Sequence, residues 1–191
     1  MEFILASKSP RRKEILNMLN IKFMQTVKET AEEIDVSINP QNNAMSIAYQ
    51  KAYEIAKEYP DKTIIAADTI VVIDGNILGK PRDSEEALNM LKSLNNREHF
   101  VYSGLALINL EMNIKIVDYE KTSVIFKNNS NNILENYILT GEPFGKAGAY
   151  AIQGIGTLLV SKFNGCFFNV IGLPINRLNS ILIKHFNYNI L

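Results

Sequence analysis

The sequence has no excess charge of either sign: 20 Lys and Arg stand against 20 Asp and Glu. A protein that neutralises a duplex backbone carries a basic surplus, so nucleic acid is not expected as the main partner and any basic site must be local. There is one cysteine, Cys166, so no intramolecular disulfide can form. That suits a reducing compartment, and the cytoplasm is the expected location. Cys166 reads as a small, half-buried residue of a β segment. No apolar run reaches the roughly 18 residues that a membrane span needs. The opening stretch MEFILASKSPRRKEIL has no basic region before its short apolar run and does not read as a secretory signal. Walker A and GxSxG patterns are absent. His99 and His185, the two histidines, lie far apart, and with one cysteine they make no zinc pattern.

What is present is an ordinary globular composition, 47% hydrophobic over 191 residues. That is enough for one large domain or two joined lobes around a real core. Strand and helix patterns alternate, which predicts an α/β protein. Residues 2–6 form a short apolar strand. A helix over 10–19 follows, with Ser9 as N-cap, Pro10 at the first helical position and Ile15, Leu16, Met18 and Leu19 facing inward. Residues 23–27 read as a strand and the acidic stretch 28–39 as a loop. Asn39-Pro40 opens a second helix to about residue 59 by the same cap logic. Its apolar stripe is Ala44, Ile47, Ala48, Ala52, Ile55, Ala56 and Tyr59.

The run 63–73 is almost wholly apolar, as expected of a strand covered on both faces. Asp74-Gly75 then predicts a tight hairpin turn. Asp83 and Glu86 are spaced as a capping box for a helix to about residue 94. Strands at 100–109 and 114–126 can pair. A helix at 130–140 is stopped by Gly141. A glycine-rich segment follows at 145–156, then a strand at 158–163 and a closing amphipathic helix at 173–186 on Leu178, Ile181, Leu182 and Phe186. The many asparagines, Asn95-Asn96 and Asn128-Asn129 among them, read as a compositional habit without chemistry.

Several residues break these patterns. Ser7-Lys8-Ser9-Pro10-Arg11-Arg12 sits where a strand meets a helix N-terminus. Unpaired N–H groups, two hydroxyls and two guanidiniums there suit an anion. The same residues also fit a capped surface helix with solvated arginines. Asp68 lies inside the apolar run, where a carboxylate is costly unless it is paired or bound to a metal. A low-dielectric setting favours a proton acceptor, and a structural Asp at a strand end is the alternative. Lys51 is the lone charge on the apolar stripe of the second helix; it either reaches a site or extends along its stem to water. Lys80, in Gly79-Lys80-Pro81, reads alone as a surface lysine. The acidic loop Glu29, Glu32, Glu33, Asp35 offers oxygen ligands for Mg²⁺ or Mn²⁺, or is simply solvated. In the glycine-rich segment, Gln153 offers both a donor and an acceptor to a base edge.

Together the stretches LASKSPRRKEIL, EE, YQKA, AADTIVV, LGKPRD, GEP, KAGAYAIQG and NVIGLP, in this order and spacing, resemble the Maf family, the septum-formation inhibitor-like proteins. The resemblance covers nearly the whole chain, taken as a single Maf-like domain of two lobes over residues 1–191. It implies an elongated mixed sheet with flanking helices, two lobes and a central cleft, like the inosine-triphosphate pyrophosphatases. It implies hydrolysis of a nucleoside triphosphate to the monophosphate and pyrophosphate, with a divalent metal cation, Mg²⁺ or Mn²⁺. Asp68 matches the family's catalytic carboxylate. Ser9, Arg11, Arg12, Lys51 and Lys80 match its triphosphate-holding positions, and Glu32 with Asp68 its cation ligands, with Glu33 as neighbour.

Ala67-Asp68-Thr69 and Tyr150-Ala151-Ile152-Gln153-Gly154 are similar to the branch acting on dTTP and UTP, which makes Arg11, Thr69 and Gln153 the specificity residues. Gly145 departs from the Asp that relatives place before Lys-Ala-Gly. A homodimer is common in the family, and no membrane association is implied. Two other readings remain: a pyrophosphatase for modified or non-standard purine triphosphates, and a nucleotide-binding regulator of cell division without significant turnover.

Overall fold

A computed structural model describes residues 1–191. In chain order its elements are β1 (Phe3–Leu5), α1 (Pro10–Met18), β2 (Phe23–Gln25), α2 (Pro40–Ala56), β3 (Thr63–Ile73), β4 (Asn76–Leu78), α3 (Ser84–Leu94), β5 (Glu98–Asn109), β6 (Ile114–Phe126), α4 (Asn131–Leu139), β7 (Val160–Asn164), α5 (Phe167–Ile171) and α6 (Ile175–Phe186). Two 3-10 turns, Ala147–Ala149 and Ile155–Leu159, lie between α4 and β7. This is the expected mixed α/β sheet with flanking helices, since parallel and antiparallel pairs coexist. No helix is long and apolar enough to cross a membrane. The chain divides into two compact units, Met1–Asp68 with Ser103–Glu120 and Gly172–Leu191, and Thr69–Tyr102 with Lys121–Ile171.

In the first unit the strands follow the order β2-β1-β3-β5-β6. Strand β1 is parallel to both neighbours, with Phe3 opposite Phe23 and Thr63. Parallel strands must be covered on both faces, which is why Ile4, Leu5, Ile64 and Ile65 are almost fully buried. Helix α2 covers one face through Ala48, Ala52, Ile55 and Ala56, packed with Ile4, Ile64, Ala106 and Ile108. Small residues on that helix bring its backbone close to the sheet. Tyr59 packs against this cluster from beyond the helix end. Helix α6 buries Leu178, Ile181, Leu182 and Phe186, as its period predicts.

In the second unit the order is β4-β3-β5-β6-β7. Asp74 and Gly75 both take positive φ, 51° and 79°, and fold β4 back antiparallel on β3 with Val71 opposite Leu78. The core here gathers Val71, Leu91, Leu94, Val124, Phe126, Leu134 and Tyr137. Within it His99 is fully buried, its Nε2 2.8 Å from the Tyr150 hydroxyl and its ring edge-on to Phe126. Burial pulls the His99 pKa down to about 4, against a main-chain contact at Arg97 that works the other way. The same burial pushes the Tyr150 phenol up from its ordinary value.

Several local expectations need correction. Met18 is 55% exposed, so it does not belong to the inner face of α1. Asn39 makes no side-chain cap to α2, which starts on Pro40 alone. Asp83 does accept the Glu86 N–H at 2.8 Å, but the Glu86 carboxylate takes the Arg82 N–H and Nε instead of closing the box. Strand β7 begins at Val160 because residues 155–159 wind into a 3-10 turn. Helix α6 begins at Ile175, after Pro174, and the short helix α5 precedes it unannounced. Cys166 is half-buried but lies between β7 and α5, not in a strand. The asparagines are not idle. The Asn95 amide donates to the Asn129 carbonyl at 2.9 Å, and its oxygen accepts the Asn129 N–H at 2.9 Å. That exchange ties the end of α3 to the chain leaving β6.

Candidate active site

At the end of β1 the chain leaves the sheet after a last bond, Ala6 N–H to Ile65 O, and turns into α1. Ser9 caps the helix, its Oγ accepting the Arg12 N–H at a long 3.5 Å. Ser7, buried beside it, accepts from the Ser9 N–H at 3.2 Å and from Arg12 Nη1 at 3.1 Å. Arg12 is only 9% exposed. Its Nε donates to the carbonyl of Gly172 at 2.7 Å, so one guanidinium ties the β1–α1 turn to the chain entering α6. Burial lowers the Arg12 pKa, the charges of Asp68 and Glu32 oppose that shift, and neighbouring Arg11 adds to it. An arginine keeps its proton in such a setting, whereas a lysine would readily shift. Arg11 is half-buried one residue earlier, and Lys8 is exposed.

The acidic loop is held by a reciprocal pair. The Asp35 N–H donates to Asn43 Oδ1 at 2.8 Å, and Asn43 Nδ2 donates to the Asp35 carbonyl at 2.9 Å. Asn43 is 2% exposed on the inner side of α2. Asp35 also accepts from the side chain and N–H of Ser37, which holds its carboxyl below the ordinary value. From this fastened loop Glu32 reaches Lys51, Oε1 to Nζ at 2.7 Å. Lys51 lies on the stripe of α2 between Ala48 and Ile55, three and four residues away, so its stem crosses apolar surface. Its ammonium ends 2.7 Å from Asp68 Oδ1. The side chains of Lys51 and Asp68 are 15% and 13% exposed, that of Glu32 44%.

The first unit therefore brings Ser9, Arg11, Arg12, Glu32, Lys51 and Asp68 into one compact body. The charges of Asp68, Glu32 and Arg11 all bear on the buried Arg12 guanidinium. Along β3, burial lapses only at Asp68 and Thr69. Asp68 is thus not an acid sealed in hydrocarbon but a partly open carboxylate with a cationic partner. No group of three or more His, Cys, Asp or Glu side chains stands where it could hold a metal ion. Glu32 and Asp68 nevertheless converge on one ammonium group. Two hard anionic oxygens so placed fit a cation of the Mg²⁺ class, which takes one or two carboxylates and fills its shell from phosphate and water.

The second unit carries Thr69, Lys80 and Gln153. Thr69 is half-buried on β3, Lys80 is exposed after β4, and Gln153 is exposed in the stretch before the second 3-10 turn. The Gly148 N–H donates to the Gly79 carbonyl at 3.0 Å, which fixes the residue before Lys80. Sequence reasoning counted Ser7 only as an anion-facing hydroxyl, and it gave no holding role to Asn43, Tyr137 or Glu142, whose side chains fasten the Asp35, Ala151 and Gly156 N–H groups. Asn43 left a signal, a polar residue beside Ala44 at the inner edge of an otherwise apolar stripe. Glu142 left only its place in Gly141-Glu142-Pro143.

A dTTP/UTP pyrophosphatase of Caldanaerobacter subterraneus subsp. tengcongensis is 49% identical over 187 residues, covering 97% of this chain and 90% of that protein. A dTTP/UTP pyrophosphatase of Clostridioides difficile is 46% identical over 190 residues, covering 100% and 98%. Among solved structures, a dITP/XTP pyrophosphatase from Mycobacterium abscessus is similar with a TM-score of 0.43 and 18% identity, over 68% of this chain and 76% of that one. The family of Maf-like proteins matches residues 2–185, and this chain belongs to it.

Proposed function

We propose that this chain hydrolyses dTTP and UTP to the monophosphate and pyrophosphate. Its near-full-length relatives bear that activity in their names. The observation that carries the chemistry is Asp68 held by Lys51 at 2.7 Å, with the same ammonium held by Glu32. Cleaving a phosphoanhydride is chiefly a matter of position and charge. Ser9, Arg11, Arg12, Lys51 and Lys80 hold the triphosphate and offset its charge. Asp68 accepts the proton of the water whose oxygen bonds to the α-phosphorus. The bond from that phosphorus to the bridging oxygen breaks, and pyrophosphate departs with the electron pair. Lys51 keeps the Asp68 carboxylate oriented toward the attacking water.

Glu32 and Asp68 are the protein oxygens for a divalent cation, Mg²⁺ or Mn²⁺. When bound, it would supply Lewis acidity and further neutralise the phosphates. Arg11, Thr69 and Gln153 select the base, with Gln153 using its amide as donor and acceptor together.

The test is pyrophosphate release across dTTP, UTP, CTP, 7-methyl-GTP and ITP. Turnover highest on dTTP and UTP supports the reading. Preference for ITP or 7-methyl-GTP overturns the substrate class. Tight UTP binding without pyrophosphate release overturns the activity itself.

A further inference from the structure

We infer that Glu142 is a positioning residue for base selection, acting through Gln153. The inference rests on the proposed role of Gln153 as the base-reading amide. Residues 150–154 belong to no helix or strand, so no ladder of main-chain bonds fixes Gln153, and an amide that must choose between bases selects only if it is held. Side chains of the α4 end do the holding. Thr140 Oγ1 donates to the Tyr137 carbonyl at 2.6 Å and accepts the Glu142 N–H at 3.2 Å, which sets Glu142 just past the helix. The Glu142 carboxylate then spans two successive peptide groups. Its Oε1 accepts the Ile155 N–H at 3.0 Å and its Oε2 the Gly156 N–H at 2.7 Å. These are N–H groups at the start of the Ile155–Leu159 turn, which the turn itself leaves unpaired, and bonds from them to a carboxylate are charge-assisted.

On the other flank of Gln153, the Tyr137 hydroxyl accepts the Ala151 N–H at 3.2 Å. The segment is therefore pinned two residues before Gln153 and two and three residues after it. Gly154 completes the arrangement. Its φ is 137°, a region side chains avoid, and a Cβ there would collide with Glu142 Oε1. Gly156 is equally confined, since a Cβ would stand 2.6 Å from the Tyr137 hydroxyl oxygen. Thymine and uracil both present a ring N–H beside a carbonyl, while cytosine presents a bare ring nitrogen beside an amino group. A Gln153 amide held in one orientation matches the first pattern and opposes the second; a loose one can turn over and accept both.

The experiment measures kcat and KM for dTTP, UTP and CTP in the wild type, Glu142→Gln, Gln153→Ala and the double variant. Glu142→Gln should lower the preference for dTTP over CTP by about 10-fold, chiefly through KM. Gln153→Ala should lower it at least as far, and the double variant no further than Gln153→Ala alone. A Glu142→Gln protein that loses activity equally on all three nucleotides overturns the inference, because that is the mark of a merely structural residue. So does an unchanged ratio where Gln153→Ala changes it. An unchanged ratio in Gln153→Ala itself instead removes the reading of Gln153 on which the inference stands. If Glu142→Gln does not fold, Glu142→Asp, which keeps the charge but shortens the reach, takes its place with the same outcomes.

Discussion

Lys51 and Asp68 meet at 2.7 Å, with both side chains largely shielded from solvent. The pair joins the apolar face of α2 to the one lapse in burial along β3. There the helix that covers the sheet reaches the carboxylate proposed as the proton acceptor. Lys51→Met should keep the apolar packing of the stem while removing the charge. We expect kcat/KM on dTTP to fall by about 10²–10³-fold, the scale of losing one preorganised electrostatic contact. Activity within a few-fold of wild type would mean that the ammonium merely neutralises Asp68.

Arg12 acts first as a brace. Its fork bonds Gly172 O and Ser7 Oγ from a buried position. Arg12→Lys keeps the charge and loses the fork. Urea unfolding should show a loss of about 1.5–3 kcal/mol, the worth of hydrogen bonds to a charged group, together with a fall in turnover. Full stability with reduced turnover would assign Arg12 to the triphosphate alone.

Glu32 reaches its position because Asp35 and Asn43 fasten the acidic loop. Glu32→Gln should raise the Mg²⁺ or Mn²⁺ concentration needed for half-maximal pyrophosphate release by about 10-fold. Chelation of the wild type should abolish release, and added cation should restore it. An unchanged cation requirement in Glu32→Gln would remove Glu32 from the ligand set.

His99 gives the fold a built-in acid sensitivity. Burial holds its folded pKa down to about 4, below the ordinary histidine value of 6.5. Between those limits the unfolded chain binds the proton and the folded one does not. Stability is therefore complete above pH 6.5 and declines as pH falls toward 4, by up to about 3 kcal/mol. Denaturant midpoints measured from pH 7.5 to 4 should show that slope, and His99→Gln should flatten it. An equal slope in His99→Gln would place the acid sensitivity elsewhere.

Much of this was legible in the sequence where a single element carried its own signal. The run Thr63–Ile73 was bounded by a turn and proved to be one strand over those residues. The stripe of α2 fixed which face is buried and put Lys51 on it. What stayed hidden was pairing between distant residues. Nothing in Arg12 announces a carbonyl 160 positions away. The mutual bonds of Asp35 with Asn43 tie the acidic loop to α2, and those of Asn95 with Asn129 tie the end of α3 to the chain leaving β6; polar composition alone announced neither. Helix α5, at five residues, is too short to show a period. The family motifs pointed to Glu32, Lys51 and Asp68 one by one, but only the structure shows a single ammonium shared by the two carboxylates.

The most direct test of the central claim is pyrophosphate release from dTTP by Asp68→Asn, with Mg²⁺ or Mn²⁺ present and folding verified by circular dichroism. The account predicts a folded protein whose kcat is reduced by about 10²–10⁴-fold, the usual cost of removing a general base. A folded Asp68→Asn protein that turns over dTTP at near the wild-type rate would contradict it.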